Sequence, residues 1–246
     1  MSEGLAGQWA LVTGSARRVG RAIALALARR GANVLVHCNH SALEGRGVVE
    51  EIRALGRDAT VLRADLADAR AVERLATAAL EHAGTVDVLV NSASNYVRTP
   101  LATLDEHAWD HSLDVNLKAP YLLSVALGRH MQASGRGCIV NIVDWAAERP
   151  YRDYLPYCVA KAGLVGLTKA LARELAPEVR VNAVAPGPVL LPEDMSTDEA
   201  ARVVRATPLA RIGRPEDVAA CVVFLAADAP FSTGAVFHVD GGRSIA

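Results

Sequence analysis

Seven short apolar runs recur along the chain: Trp9–Val12, Asn33–His37, Thr60–Arg63, Val86–Val90, Cys138–Val143, Arg180–Val184 and Val236–Val239. Each is too short for a buried helix and closes on small or polar residues, so each reads as a strand. The stretches between them repeat apolar residues at the helical period, over 21–30, 41–55, 68–82, 104–132, 157–175 and 215–227. Asp68 stands where the third helix needs an N-cap, and Pro215 is the first residue of the last. Pro120 falls inside the fourth and predicts a bend there. Strands alternating with helices build a doubly wound, seven-stranded parallel sheet with helices on both faces. No linker, repeat or low-complexity run interrupts the pattern, so 1–246 reads as a single α/β domain. The stretch 189–207, rich in proline, acidic and small polar residues, reads as a mobile substrate lid.

Composition narrows the function. Of the 246 residues, 51% are apolar but only 4% aromatic, which predicts a core packed from Ala, Val and Leu. A net charge of -1 offers no electrostatic case for nucleic acid or an anionic membrane. No apolar run reaches the roughly 18 residues of a spanning helix, and the first residues carry no signal-like apolar segment, which points to the cytoplasm. The four cysteines, at 38, 138, 158 and 221, lack paired spacing and read as reduced thiols. His37, Cys38 and His40 are spaced too tightly for a structural zinc site, and His107 with His111 lacks a third ligand. No metal is expected.

The chemistry gathers at the ends of the strands. The first is followed at once by Thr13-Gly-Ser-Ala-Arg-Arg-Val-Gly20 and a helix, the strand–turn–helix context of a dinucleotide fingerprint. Gly14 permits a tight turn, Gly20 lets the helix start approach the sheet, and the helix N-terminus offers N–H groups to a phosphate. The second strand ends in Cys38-Asn-His-Ser41 without the carboxylate that grips the ribose hydroxyls of NAD; with Arg18 nearby, this suits the 2′-phosphate of NADPH. The fourth strand ends in Asn91-Ser-Ala-Ser94, small enough for a flat ligand to approach the backbone. Asp144 follows the fifth. Tyr157 and Lys161, four apart, share one helix face. A phenol has a reference pKa of about 10. The ammonium one turn away is expected to favour the phenolate, and the carboxyl to exchange protons with it.

Thr13-Gly14…Gly20, Asp65, Asn91-Ser-Ala, Asn116, Tyr157-x-x-x-Lys161, Pro186-Gly187 and Asp240-Gly-Gly242 together resemble the short-chain dehydrogenase/reductase family along almost the whole chain. That resemblance implies a Rossmann-like fold and NAD(P)(H)-dependent hydride transfer. Tyr157 is then the proton donor, Lys161 holds the nicotinamide ribose and lowers the Tyr157 pKa, and Asn116 positions a relay water. Two departures, Asp144 for Ser and Arg18 for Gly, are similar to the pteridine reductase branch. By that likeness Arg18, His40 and Ser41 meet the 2′-phosphate and neighbouring phosphates, as part of a cofactor site that includes Gly14, Val19, Gly20, Asn91, Ala93, Pro186 and Gly187. Asp65 and Leu66 flank the adenine, Ser94 faces pyrophosphate and substrate, and Tyr96 stacks on the pterin. His40 replaces the branch's usual Arg, which predicts a 2′-phosphate grip that weakens above neutral pH.

The reading is an NADPH-dependent reductase that passes a hydride to a pterin or dihydropterin/dihydrofolate ring carbon while Tyr157, coupled to Asp144, delivers a proton. The alternative within enzymes is a reductase of 3-oxoacyl thioesters or other ketones; outside them, it is a non-catalytic NADP-binding sensor. A homotetramer is expected through the 104–132 and 154–175 helices, whose Ala162, Gly163, Gly166 and Ala170 allow close packing.

Overall fold

The computed structural model describes residues 4–191 and 195–246. Strands β1 (Trp9–Val12), β2 (Asn33–Cys38), β3 (Ala59–Arg63), β4 (Val88–Asn91), β5 (Gly137–Ile142), β6 (Val179–Pro186) and β7 (Val236–Val239) form one parallel sheet in the order β3-β2-β1-β4-β5-β6-β7. Its register puts Leu11 beside Leu35 and Leu89, Leu89 beside Ile139, and Ile139 beside Val181, a single row across five strands. Successive strand residues face opposite ways. That row packs on helices α3 (Ala69–Ala83), α5 (Ala119–Ala133) and α6 (Leu155–Glu174) through Val72, Leu127, Met131 and Leu171. The alternate row, with Val12, Val36, Val90 and Val140, packs on α1 (Arg18–Arg29), α2 (Ala42–Ala54) and α8 (Pro215–Val223). Both faces are therefore covered, which is why the strands read as unbroken apolar runs.

The strand order reverses between β1 and β4, and the crevice at their carboxyl ends is where such sheets take ligands. Asp68 caps α3 by accepting the Arg70 N–H at 2.9 Å. The single bent helix expected over 104–132 is two helices, α4 (Glu106–Leu113) and α5, joined by a π-turn over Asp114–Lys118. Pro120 is the cause: it has no N–H for the carbonyl of Asn116, and the ladder shifts so that the Ala119 N–H reaches Asp114 five residues back. The expected lid is not loose throughout. It contains helix α7 (Thr197–Arg205), started by a reciprocal Ser196–Glu199 capping box and without a buried residue. Residues 192–194 of that stretch lie outside the described residues.

Candidate active site

Asp144, at the end of the β5 run, and Tyr157, in the first turn of α6, are brought together by the fold. The Tyr157 hydroxyl donates to Asp144 Oδ2 at 2.7 Å. The other carboxyl oxygen, Oδ1, accepts the Tyr151 hydroxyl at 3.0 Å and the Ala146 N–H at 2.8 Å. Lys161 sits one turn beyond Tyr157, 2% exposed, donating to the Ile142 carbonyl at 2.9 Å, with its ammonium 5.6 Å from the Tyr157 ring centre. Burial raises the Asp144 pKa above its ordinary value, against the pull of its hydrogen bonds and of Lys161. The same burial lowers Lys161 to about 8.

The expected lowering of the Tyr157 pKa by Lys161 is reversed here. Desolvation first, and then the Asp144 charge and hydrogen bond, hold the phenol well above its ordinary value. Physically, a 6% exposed phenolate facing a carboxylate is the costly form. Tyr157 in this state is a proton carrier rather than a phenolate.

Asn116 is fully buried in the π-turn. Its amide oxygen accepts the Ser94 hydroxyl at 2.7 Å, and its amide nitrogen faces Asn95 and the Ser112 carbonyl, the latter at 3.0 Å. Its side chain thus anchors the β4–α4 loop, and only its main-chain carbonyl, left without an i+4 donor by Pro120, faces a different role. The same loop carries Tyr96, half exposed. One face of the Tyr96 ring is stacked on Tyr154 at 4.3 Å, and its ring meets Tyr157 edge-on at 4.9 Å. The face expected to cover a ligand is therefore shared with Tyr154. The Arg98–Asp153 ion pair, at 2.6 Å, and a Thr99–Tyr154 bridge fix this loop to the start of α6.

The cofactor turn is closed to side chains. A Cβ on Gly14 (φ +66°) would lie 2.8 Å from Ala93 Cα, one on Gly20 would strike the Gly14 carbonyl, and one on Gly187 would lie 2.6 Å from Asp240 Cα. Backbone N–H groups at the head of α1 are thus left open to a pyrophosphate, a cradle that fits a dinucleotide. Arg18 keeps the left-handed backbone (φ +53°) of the glycine it replaces and is exposed beside the half-buried Val19. His40 is exposed and Ser41 precedes α2. No carboxylate ends β2, but Glu44 in the first turn of α2 comes near and is paired with Arg17. Asp65 turns back onto the Ala67 N–H at 3.0 Å and Leu66 is buried beside it. Asn91 points its amide into the core, to Ser124 at 3.1 Å and Asn141 at 2.8 Å, so any cofactor contact there passes through its backbone. Pro186 ends β6 next to Gly187.

The structural roles of several residues that shape the site went unread in the sequence. The Thr13 hydroxyl accepts the N–H groups of Ser92 and Ala93 at 2.9 and 3.0 Å, joining the two strand ends that flank the crevice. His37 is a buried scaffold, not a ligand. Its Nδ1 accepts the Gly14 N–H at 3.1 Å and its Nε2 donates to the Ala64 carbonyl at 3.2 Å. Burial lowers its pKa to about 4, against that backbone hydrogen bond, so it is neutral. Tyr151 and Tyr154 precede α6 in a proline-flanked loop where no periodicity marks them; the recurrence of tyrosine at 151, 154 and 157 was the available signal.

Elsewhere, a cavity of about 470 Å³ between Pro208–Gly213 and the β7 turn shares no lining residue with the Tyr157 cluster. Among the described residues no group of three or more His, Cys, Asp or Glu could hold a metal, and the four cysteines are free. No described helix is long and apolar enough to cross a membrane.

A family model described as enoyl-(acyl carrier protein) reductase matches residues 14–244. A 3-oxoacyl-[acyl-carrier-protein] reductase of Synechocystis sp. is 40% identical over 242 residues, covering 97% of each chain. A 3-oxoacyl-[acyl-carrier-protein] reductase of Staphylococcus aureus is 38% identical over 95% of this chain and 96% of its own. The crystal structure of a chain assigned as a short-chain alcohol dehydrogenase from Sinorhizobium meliloti 1021 superposes with a TM-score of 0.95 at 34% identity, each chain covered in full. These relatives are named for thioesters and alcohols, where the sequence had pointed to the pteridine branch.

Proposed function

This chain belongs to the short-chain dehydrogenase/reductase family of oxidoreductases, and from that premise we propose that it is an NADPH-dependent reductase of 3-oxoacyl thioesters or similar ketones. The observation that carries the reading is the buried Tyr157–Asp144 pair with Lys161 one turn away, together with whole-length similarity to 3-oxoacyl reductases.

NADPH, when bound, supplies the hydride. The chain's own residues do the rest. The head of α1 and the Gly14 turn hold the pyrophosphate, Arg18 with His40 and Ser41 meets the 2′-phosphate, and Arg17 neutralises Glu44 so that it does not repel that phosphate. Lys161, with one N–H committed to Ile142, turns the others to the ribose. Tyr157 donates its proton to the substrate oxygen as the negative charge develops there, and Asp144 returns a proton to Tyr157. Most members of the family that this chain resembles carry serine where it has Asp144. A carboxyl whose pKa is raised by burial offers the same hydroxyl donor in its protonated form, which an ionised one would not. Positioned general acids contribute about 10²–10⁴-fold. Asn116 presents its main-chain carbonyl to a relay water beside Lys161.

A second reading, reduction of a pterin ring, is favoured by one observation: Asp144 itself, a proton reservoir suited to an imine-like nitrogen, beneath the aromatic wall of Tyr96 and Tyr154. Steady-state assays with NADPH on an acetoacetyl thioester and on a dihydropterin separate the two. Turnover of the thioester with kcat/KM at least tenfold above the pterin supports the first reading; the reverse ranking supports the second.

In solution we propose a homotetramer. Ala162, Gly166 and Ala170 are exposed along α6 with Val159, and nothing lies within 4 Å of a Cβ on Gly166. Gly163, counted with them from sequence, instead packs on Leu117 within the subunit.

A further inference from the structure

We propose that Tyr151 is a positioning residue for the catalytic carboxyl: its hydroxyl holds Asp144 Oδ1, keeps Oδ2 on Tyr157, and stabilises the carboxylate left when Asp144 gives up its proton. The proposal rests on the roles given above to Asp144 and Tyr157.

Two tyrosine hydroxyls grip opposite oxygens of one carboxyl, Tyr157 at 2.7 Å and Tyr151 at 3.0 Å. The torsional preference of a carboxyl's terminal bond is broad, and Tyr151 adds a side-chain hold on Oδ1 to that of the Ala146 N–H at 2.8 Å. Held at both oxygens, the carboxyl keeps one aimed at Tyr157. The Tyr151 ring is itself fixed. It meets Trp145 edge-on at 5.4 Å and Tyr154 at 6.1 Å, and its main-chain N–H donates to Cys158 Sγ at 3.3 Å, one residue beyond Tyr157. Trp145, the neighbour of Asp144, is backed by the Arg243 guanidinium 5.2 Å from its ring centre. Arg243 also donates to the Ala206 carbonyl, just past α7, at 2.5 Å. The orientation of the hydroxyl is thus built from four separate parts of the chain.

A tyrosine that merely packs needs its ring and not its O–H. Here the O–H is spent on the one carboxyl in the site. The proton balance gives it a function. Tyr157 turns its O–H from Oδ2 to the substrate oxygen and gives up the proton there, protonated Asp144 passes its Oδ2 proton to Tyr157 across the 2.7 Å contact, and the carboxylate so formed accepts the Tyr151 O–H and the Ala146 N–H. Water later returns the proton to Asp144. The other titratable groups facing Asp144 are Lys161 and Cys158 from α6 and Tyr96 from the β4–α4 loop. Of these only Lys161 is cationic, and it is committed to Ile142. Tyr151 therefore answers the new charge from the Oδ1 side, alongside the Coulombic pull of Lys161.

The test is Tyr151→Phe, which keeps the ring, assayed across pH with NADPH and the ketone substrate. We expect kcat to fall about tenfold with KM for NADPH unchanged, and the alkaline limb of the kcat profile to move to higher pH, because a carboxylate that loses a donor is a weaker acid. In an Asp144→Asn background the same change should have no further effect on kcat. Placing 3-fluorotyrosine at 151, a stronger donor that preserves the fold, should move the limb to lower pH and serves as well if the Phe variant does not fold. A limb that stays in place in both, or an equal loss in the Asp144→Asn background, reduces Tyr151 to packing and overturns the proposal. Asp144→Asn with wild-type rates at every pH would instead overturn the reading on which it rests.

Discussion

The Tyr157 hydroxyl and Asp144 Oδ2 lie 2.7 Å apart in a pocket that leaves Tyr157 only 6% exposed. Burial makes the charged form of either group expensive and raises both pKa values. Because the Asp144 pKa is raised, its proton is present at low pH and lost as pH rises through the raised value. Ketone reduction should decline over that alkaline limb. The limb should vanish in Asp144→Asn, with kcat at its optimum reduced by about tenfold or more.

Asp144→Ser separates the substrate readings. Serine restores the hydroxyl of the family pattern from which Asp144 departs. The variant should keep thioester turnover within a few-fold of wild type at its optimum and exceed it at high pH. Pterin turnover, if the wild type has any, should fall by about tenfold or more, since serine holds no exchangeable acid proton of comparable strength.

Arg18 occupies a left-handed backbone that costs a non-glycine residue roughly 1–2 kcal/mol. Arg18→Gly removes that strain while giving back a similar amount in unfolded-state entropy. Tm should stay within a few degrees of wild type. KM for NADPH should rise about tenfold or more, consistent with loss of one charge-assisted phosphate contact worth roughly 1.5–3 kcal/mol, and KM for NADH should change little.

How far the sequence revealed this site follows from which residues signal locally. The strands were readable because both their faces are buried, and the glycine turn because its spacing reports backbone geometry. Sequence places the break in the 104–132 helix at Pro120 itself, whereas the missing N–H acts one turn upstream, at 114–118. Helix α7 went unseen although Ser196-Thr-Asp-Glu199 carries a capping signature. The recurrence of tyrosine at 151, 154 and 157 was visible, but the stacking of Tyr96 on Tyr154 was not, since they meet only through tertiary packing. The Tyr157 pKa was misjudged because four-residue spacing shows that Lys161 is near but not that the phenol is desolvated and faces the Asp144 carboxyl. Substrate class was the least legible. Asp144 and Arg18 resemble the pteridine branch, while the rest of the chain is similar to 3-oxoacyl reductases.

His37 stays neutral, with its pKa lowered to about 4 from 6.5 by burial. Between those values the unfolded chain binds more protons than the folded one, so stability is present above pH 6.5 and lost as pH falls toward 4. The full excursion is worth about 3 kcal/mol as an order of magnitude. Thermal melts at about pH 7 and about pH 4.5 should show a smaller acid loss in His37→Gln than in wild type. The variant should also bind NADPH more weakly, because the Gly14 N–H loses its acceptor.

Lys161 gives the opposite limb. Its pKa falls from 10.5 to about 8 through burial, so the unfolded chain binds more protons between those values and wild-type stability rises with pH across them. Lys161→Met should abolish activity and lack that rise. Its Tm relative to wild type should be more favourable at about pH 7 than at about pH 10.

The most direct measurement is the rate of NADPH oxidation by the purified protein with an acetoacetyl thioester, followed at the nicotinamide absorbance band, for wild type beside Tyr157→Phe. The account predicts steady turnover by the wild type, about tenfold or more faster with NADPH than with NADH, and a loss of roughly a hundredfold or more in the variant with cofactor binding retained. Wild-type protein that binds NADPH yet leaves every 3-oxoacyl thioester and ketone unreduced, or a Tyr157→Phe enzyme as fast as the wild type, would contradict it.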